Sequence, residues 1–202
     1  MSDEYNSRYS NEEFYWGLKP DKLVVKSIPF LKKNSKILDL GSGEGKDSLF
    51  LAKKGNNLTA VDISEKGIEK TNKFAKENNL KIKTEISNIK NYLNKSKKFD
   101  AIYAINVLQF IPEDKIFEVI KKMQNKTKKN GINVIASFIA ENTKQKDFIL
   151  KKGRYFFNKR ELKKLYDTWE IEFYLEKLGD WETHGEKPHR HFIVNIIARK
   201  KI

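Results

Sequence analysis

Lys36-Ile37-Leu38-Asp39-Leu40-Gly41-Ser42-Gly43-Glu44-Gly45-Lys46-Asp47-Ser48 leads from an apolar run through three glycines into a helical pattern. Ile37, Leu38 and Leu40 form the short run expected of a strand buried on both faces. Over 48–54 the apolar positions Leu49, Leu51 and Ala52 recur at helical spacing, and Gly55 stops the pattern. Glycines at a strand-to-helix turn let backbone approach a ligand where side chains would block it. The stretch therefore predicts the first β-loop-α unit of a parallel sheet, with its loop at a ligand.

The spacing decides what kind of ligand. A dinucleotide fingerprint places its third glycine three positions after the second, and position 46 is lysine. A phosphate-binding P-loop follows Gly-Lys with Ser or Thr, and Asp47 stands there. An acid two residues before Gly-x-Gly-x-Gly suits a cationic head rather than a pyrophosphate. Asp62 closes the second apolar run 17 residues past Gly45, near the ~20-residue offset at which an acid takes ribose hydroxyls.

The same alternation continues outward. Asn57–Asp62, 81–86, Phe99–Ile105 and 132–139 read as further strands. Ser64 caps a helix that encloses Gly67 and closes at Asn78-Asn79. Pro112 stands where a first helical turn tolerates proline, and that helix reaches about Lys126, with Lys129-Asn130-Gly131 as the turn beyond it. A further helix is expected over 20–31. After Ala140 the rhythm changes: Asn158 caps a short helix through Leu165, then 169–178 and 192–198 read as strands with no helix between. Two strands so joined are most simply antiparallel. The expected fold is α/β, a doubly wound and mostly parallel sheet.

Composition excludes whole classes. The 202 residues carry 39% hydrophobic side chains and no cysteine, so the chain can bury a core. A disulfide framework, a cysteine zinc site, an iron–sulfur cluster and a thiol nucleophile are excluded. The longest apolar stretch, 134–140, is far short of the ~18 residues of a membrane span. Met1-Ser2-Asp3-Glu4 does not read as a secretory signal, so a soluble cytoplasmic protein without a membrane partner is expected. The net charge of +14 invites nucleic acid, yet only five of 41 basic residues are arginine. The lysines are spread over every helical pattern instead of one stripe. A solvated surface that attracts anions is the first reading, and an RNA partner the second.

Asp39-x-Gly41-x-Gly43-x-Gly45, with Asp62 after it, resembles the class I S-adenosylmethionine (SAM) dependent methyltransferases. Phe14-Tyr15-Trp16-Gly17, the run over 38–52, Asn106-Val107-Leu108-Gln109-Phe110 and the ending Asn195 to Lys200 resemble the tellurite-resistance-type methyltransferases across essentially the whole chain. The resemblance implies a Rossmann-like seven-stranded sheet whose last strand is antiparallel. It implies one domain over 1–202: a lid segment at 1–31, a cofactor-binding core at 36–139 and an acceptor side at 140–202. Gly41, Ser42, Gly43 and Gly45 would lie under the methionine part of SAM, with Asp39 and Asp47 beside it. Asp62 would hold the ribose hydroxyls and Ile63 pack on adenine. Asn88, beside Ile89, stands where the family usually has an acid near the adenine amine, so its amide oxygen would accept instead. Asn106, Val107 and Phe110 complete the pocket, and Tyr15 and Trp16 belong to a lid or to the packing of the core. The product would be S-adenosylhomocysteine (SAH).

The acceptor is less determined. The chain lacks the Pro-Pro-aromatic motif of base amino-methylating enzymes, and lacks the cysteines of cytosine C5 and arsenite enzymes. A small-molecule acceptor, with tellurite or a related chalcogen oxyanion first, is the expectation. All three histidines fall in the loop His184-Gly185-Glu186-Lys187-Pro188-His189-Arg190-His191. Three readings stay open: a polar loop, a His-x-His metal site, and an acceptor site built on His184, His189 and Arg190. No metal is assigned. A soft chalcogen nucleophile needs no general base, whereas a hydroxyl or amine would draw on His184, His189 or Glu186. Alternatives are an RNA methyltransferase and a non-catalytic SAM-binding module, as a monomer or homodimer.

Overall fold

The computed structural model describes residues 2–141, 153–180 and 190–201. Seven strands form one sheet: β1 Lys36–Leu40, β2 Asn57–Asp62, β3 Ile82–Ile86, β4 Phe99–Ile105, β5 Thr127–Ile139, β6 Glu170–Leu178 and β7 Phe192–Arg199. Their order is β3-β2-β1-β4-β5-β7-β6. β1 pairs in parallel with both β2 and β4, and only β7 runs against its neighbours β5 and β6. The helices are α1 Ser2–Tyr9, α2 Lys22–Ser27, α3 Lys46–Lys53, α4 Glu65–Glu77, α5 Ile89–Lys95, α6 Glu113–Lys126 and α7 Glu161–Lys164. None of the described helices is long and apolar enough to cross a membrane.

The strands read as continuous apolar runs because both faces are covered. Leu38, Leu40, Ile102 and Ala104 pack with Leu93, Ile116 and Val119 on one face. Ile37, Ala101 and Tyr103 pack with Leu23, Val24 and Leu51 on the other. Removing each such aliphatic side chain from water contributes about 1.5–3 kcal/mol. The hydroxyl of buried Tyr103 meets Ser27 at 2.6 Å, which fastens α2 to β4. Ser64 caps α4 as expected, accepting the Gly67 N–H at 3.1 Å, and Asn79 leaves that helix with φ 54°.

Several boundaries differ for local reasons. The helix expected over 20–31 ends at Ser27 and tightens into a 3₁₀ turn, Ile28–Phe30, because Pro29 lacks an N–H. Lys129-Asn130-Gly131 is no separating turn: β5 begins at Thr127, and opposite Phe99 to Ala101 of β4 it bulges with extra residues that include Asn130 at φ 62°. Asn158 does not cap α7 with its side chain. Its N–H donates to the Glu161 carboxylate instead, at 2.8 Å. Two helices, α1 and α5, have no counterpart in the sequence reading.

Candidate active site

Sheet order reverses between β1 and β4, and ligands of such sheets bind at that switch, beyond the carboxyl ends of the strands. A cavity of about 990 Å³ opens there. Its floor is the glycine loop, which leaves β1 by a left-handed turn at Gly41, φ 67°. A β-carbon at Gly41 would fall 2.2 Å from the Val107 side chain beyond β4. That glycine is required where two strand ends converge.

The acids cluster around this loop. Asp39 is buried and accepts the Ser48 hydroxyl at 2.7 Å. Burial, and then the neighbouring charge of Asp47, push its carboxyl up to about 7. Asp47 is pushed up to about 6 by burial, against the opposing pull of the Asp21 N–H and Lys46. It accepts that N–H at 2.8 Å, and Asp21 in turn caps α2 through the Leu23 N–H. Asp62 accepts Gly43 N–H on one oxygen and Ser64 N–H on the other, both at 2.8 Å, while burial raises its pKa. One carboxylate thus holds the loop and the start of α4 together.

The N-terminal segment closes over the loop. Tyr9 is buried against Gly43, and its hydroxyl accepts Trp16 Nε1–H at 3.3 Å. Glu44 accepts the backbone N–H of Tyr15 and of Trp16. Lys70 of α4 reaches Glu44 at 2.6 Å and the Glu13 carbonyl at 2.9 Å. Both members of this ion pair are more than 90% buried. On the sheet-end side Asn106 takes φ 51°, and its carbonyl accepts the Gln109 amide at 2.6 Å. Ser42 Oγ and Gln109 Oε1 are buried without a hydrogen-bond partner among the described residues, and both residues line the cavity.

The cavity brings together Tyr15, Trp16, Asp39, Gly41, Ser42, Gly43, Asp47, Asp62, Ile63, Asn88, Ile89, Asn106, Val107 and Phe110. Gly45 is not in its wall. A β-carbon there would sit 2.4 Å from Thr71 Oγ1, so Gly45 serves the packing of α4 on the loop. Asn88 faces the cavity, but its amide oxygen accepts the Asn91 N–H at 2.9 Å and caps α5. Arg190 is absent from the wall, and its neighbour His191 is present, its ring 4.7 Å from that of Phe138 and tilted by 47°. Consecutive residues entering a strand point to opposite sides. His184 and His189 lie outside the described residues.

Sequence reasoning missed Tyr5, Arg8, Glu44, Gln109 and Arg154 in this wall. Glu44 occupies a free position of the glycine motif, and Arg154 follows no motif. Only the aromatic density of 1–17 hinted at Tyr5.

The reversed sheet order, the lone antiparallel β7, the glycine loop after β1 and the acid ending β2 define the class I methyltransferase fold. The family model described as "Tellurite resistance protein TehB" matches residues 12–194, and the chain belongs to that family. Among its relatives is a Haemophilus influenzae (strain 10810) protein named "Probable S-adenosyl-L-methionine-dependent methyltransferase TehB". It is 30% identical over 168 residues, 82% of this chain and 57% of the relative. The chain thus spans little more than half the length of that protein. A "Ubiquinone biosynthesis O-methyltransferase" of Pelagibacter ubique is 35% identical over 105 residues, covering 52% of this chain and 42% of that one. The crystal structure of TehB from Haemophilus influenzae superposes with a TM-score of 0.77 at 26% identity, over 99% of this chain and 67% of that chain.

Proposed function

We propose that this protein transfers a methyl group from SAM to a small-molecule acceptor, a chalcogen oxyanion such as tellurite being the first to try. The observation that carries the reading is the joint placement of Asp39, Asp47 and Asp62 around one glycine loop in one cavity. The donor set fits SAM. Two buried carboxylates match the charge of an ammonium and a sulfonium, and the unpartnered Ser42 Oγ calls for a polar ligand atom. Family membership and the name of the Haemophilus relative support the same cofactor.

When bound, SAM supplies a methyl group that passes to an acceptor lone pair, while the broken S–C pair stays on sulfur and SAH leaves. Alignment supplies much of the rate in such an in-line displacement, and the residues here are arranged to hold and enclose. Asp39 and Asp47 orient the methionine end. Asp62 keeps free lone pairs for ribose hydroxyls beside its backbone bonds. Ile63 and Ile89 would flank the adenine, Ile89 opening the helix that Asn88 caps. Tyr15 and Trp16, tied to Glu44, exclude water from the reacting atoms.

The test is calorimetric titration with SAM and SAH, followed by SAH release in the presence of tellurite or selenite. Micromolar binding that Asp62→Ala weakens is expected. Absence of binding by the wild type would overturn the cofactor reading, and binding without turnover on either oxyanion would remove them as acceptors.

A further inference from the structure

At the mouth of the cavity, aromatic rings and guanidinium groups alternate. Arg8 lies over Tyr15 at 5.4 Å and Tyr5 at 5.2 Å, Tyr5 meets Phe110 edge-on at 5.6 Å, and Arg154 lies over Phe110 at 5.1 Å. The two arginines are not equivalent. Arg8 is neutralised by Glu4 at 2.8 Å; of the lining lysines, Lys90 and Lys115 pair with Glu118 and Asp114, and Lys46 stands near the carboxyls of Asp39 and Asp47 at the glycine loop. Arg154 has no hydrogen bond or ion pair to any described residue. Its backbone is nevertheless fixed, because the next residue, buried Tyr155, donates its N–H to the Gln109 carbonyl at 2.8 Å. Gln109 is 4% exposed, lines the same cavity, and has a second acceptor, Oε1, with no hydrogen-bond partner among the described residues.

The geometry points to an acceptor subsite in which Arg154 binds an anionic group of an organic methyl acceptor and Gln109 Oε1 accepts a hydrogen bond from its hydroxyl or amine. The inference rests on the methyltransferase reading and goes beyond it, setting an organic acid against the inorganic oxyanion as the acceptor. A guanidinium already stacked on a ring presents its N–H fork at the ring's edge, the arrangement that takes a carboxylate bidentately. Tyr5, Phe110 and Phe138 supply apolar walls for the body of such a molecule. A bare inorganic oxyanion would leave those walls and the Gln109 acceptor unused, and an unused buried acceptor is costly.

The probe is 3-hydroxybenzoate, titrated into SAH-saturated protein and followed by ligand-observed NMR, with 3-hydroxybenzamide, benzoate and selenite as comparisons. Binding of 3-hydroxybenzoate, weakened about tenfold or more by Arg154→Ala and only partly restored by Arg154→Lys, is expected. The amide and the hydroxyl-free benzoate should each bind less tightly, the amide without dependence on residue 154. Because Arg154 is exposed, the Ala variant should fold and bind SAH normally, which the same titration checks. Equal affinity for acid and amide, indifference to Arg154→Ala, or tighter binding of selenite than of the aryl acid would each overturn the proposal alone. Failure of wild type to bind SAH would overturn the methyltransferase reading and the subsite with it.

Discussion

The carboxylate of Asp62 accepts the N–H of Gly43 at 2.8 Å, so the acid that ends β2 also holds the middle of the loop that follows β1. Its second oxygen starts α4 through the Ser64 N–H. A residue of this kind preorganises a site as well as contacting a ligand. Asp62→Ala leaves the Gly43 N–H without its acceptor and is expected to cost about 1–2 kcal/mol of stability. Cofactor affinity should fall more than tenfold. Thermal unfolding and calorimetry read the two effects separately; a variant that binds SAM as tightly as wild type would remove Asp62 from the site.

Buried carboxyls make the site sensitive to pH. Asp39 is held up to about 7 and Asp47 to about 6 by burial, against ordinary values of 3.8. Between about pH 4 and 7 the folded chain therefore holds protons that the unfolded chain has released. Raised carboxyl pKa values of this sign make the ligand-free protein less stable as pH rises through that window, levelling off above 7. Affinity for a cationic ligand should move the other way and strengthen from pH 5.5 to 8. Unfolding midpoints and SAM titrations at four pH values test both slopes, and Asp39→Asn should flatten each. Parallel slopes in wild type and variant would show that other groups set them.

The Glu44–Lys70 pair is the fastening of the N-terminal segment. Glu44→Gln keeps one acceptor oxygen where Tyr15 and Trp16 N–H each use one, and it strands a buried ammonium, at a cost of about 3–5 kcal/mol. Limited proteolysis should then cut within 10–17 before the rest of the chain. Replacing both partners by methionine should recover much of the loss, since no lone charge remains. A double variant as unstable as the single would locate the effect elsewhere.

Gly67 supplies a counter-intuitive case. It lies inside α4, where alanine normally gains up to ~1 kcal/mol over glycine. A β-carbon at this position would stand 2.6 Å from the Gly43 carbonyl oxygen, which is backbone and cannot swing aside. Gly67→Ala is expected to destabilise by about 1–3 kcal/mol and to weaken SAM binding by displacing the loop. A rise in the unfolding midpoint would contradict that packing.

Much of the frame is legible because its causes are local. Apolar runs and helical spacing announce all seven strands and the larger helices, and Ser64 and Gly55 mark helix ends by turn chemistry. Helix α5 escaped because it is only seven residues long: Ile89, Tyr92 and Leu93 do stand at helical spacing, but so short a run carries too few repeats to announce a helix. The bulge at Asn130 escaped for another reason: Lys129-Asn130-Gly131 has the composition of a turn, and backbone hydrogen bonds to the distant Lys200 keep it in the strand.

What the residues alone determined is the unit from Lys36 to Asp62: a buried strand, a loop of glycines flanked by acids, a helix and a strand ending in a third acid. Each part depends on neighbours a few positions away, through backbone sterics and side-chain period. Tertiary structure decided the rest of the cavity. Glu44 and Lys70 lie 26 residues apart and pair only because α4 packs on the loop. Arg8, Gln109, Arg154 and His191 come from four separate parts of the chain and meet because the sheet reverses its order between β1 and β4. Contacts across such distances in sequence leave no periodic trace; burial and topology select them once the sheet has formed.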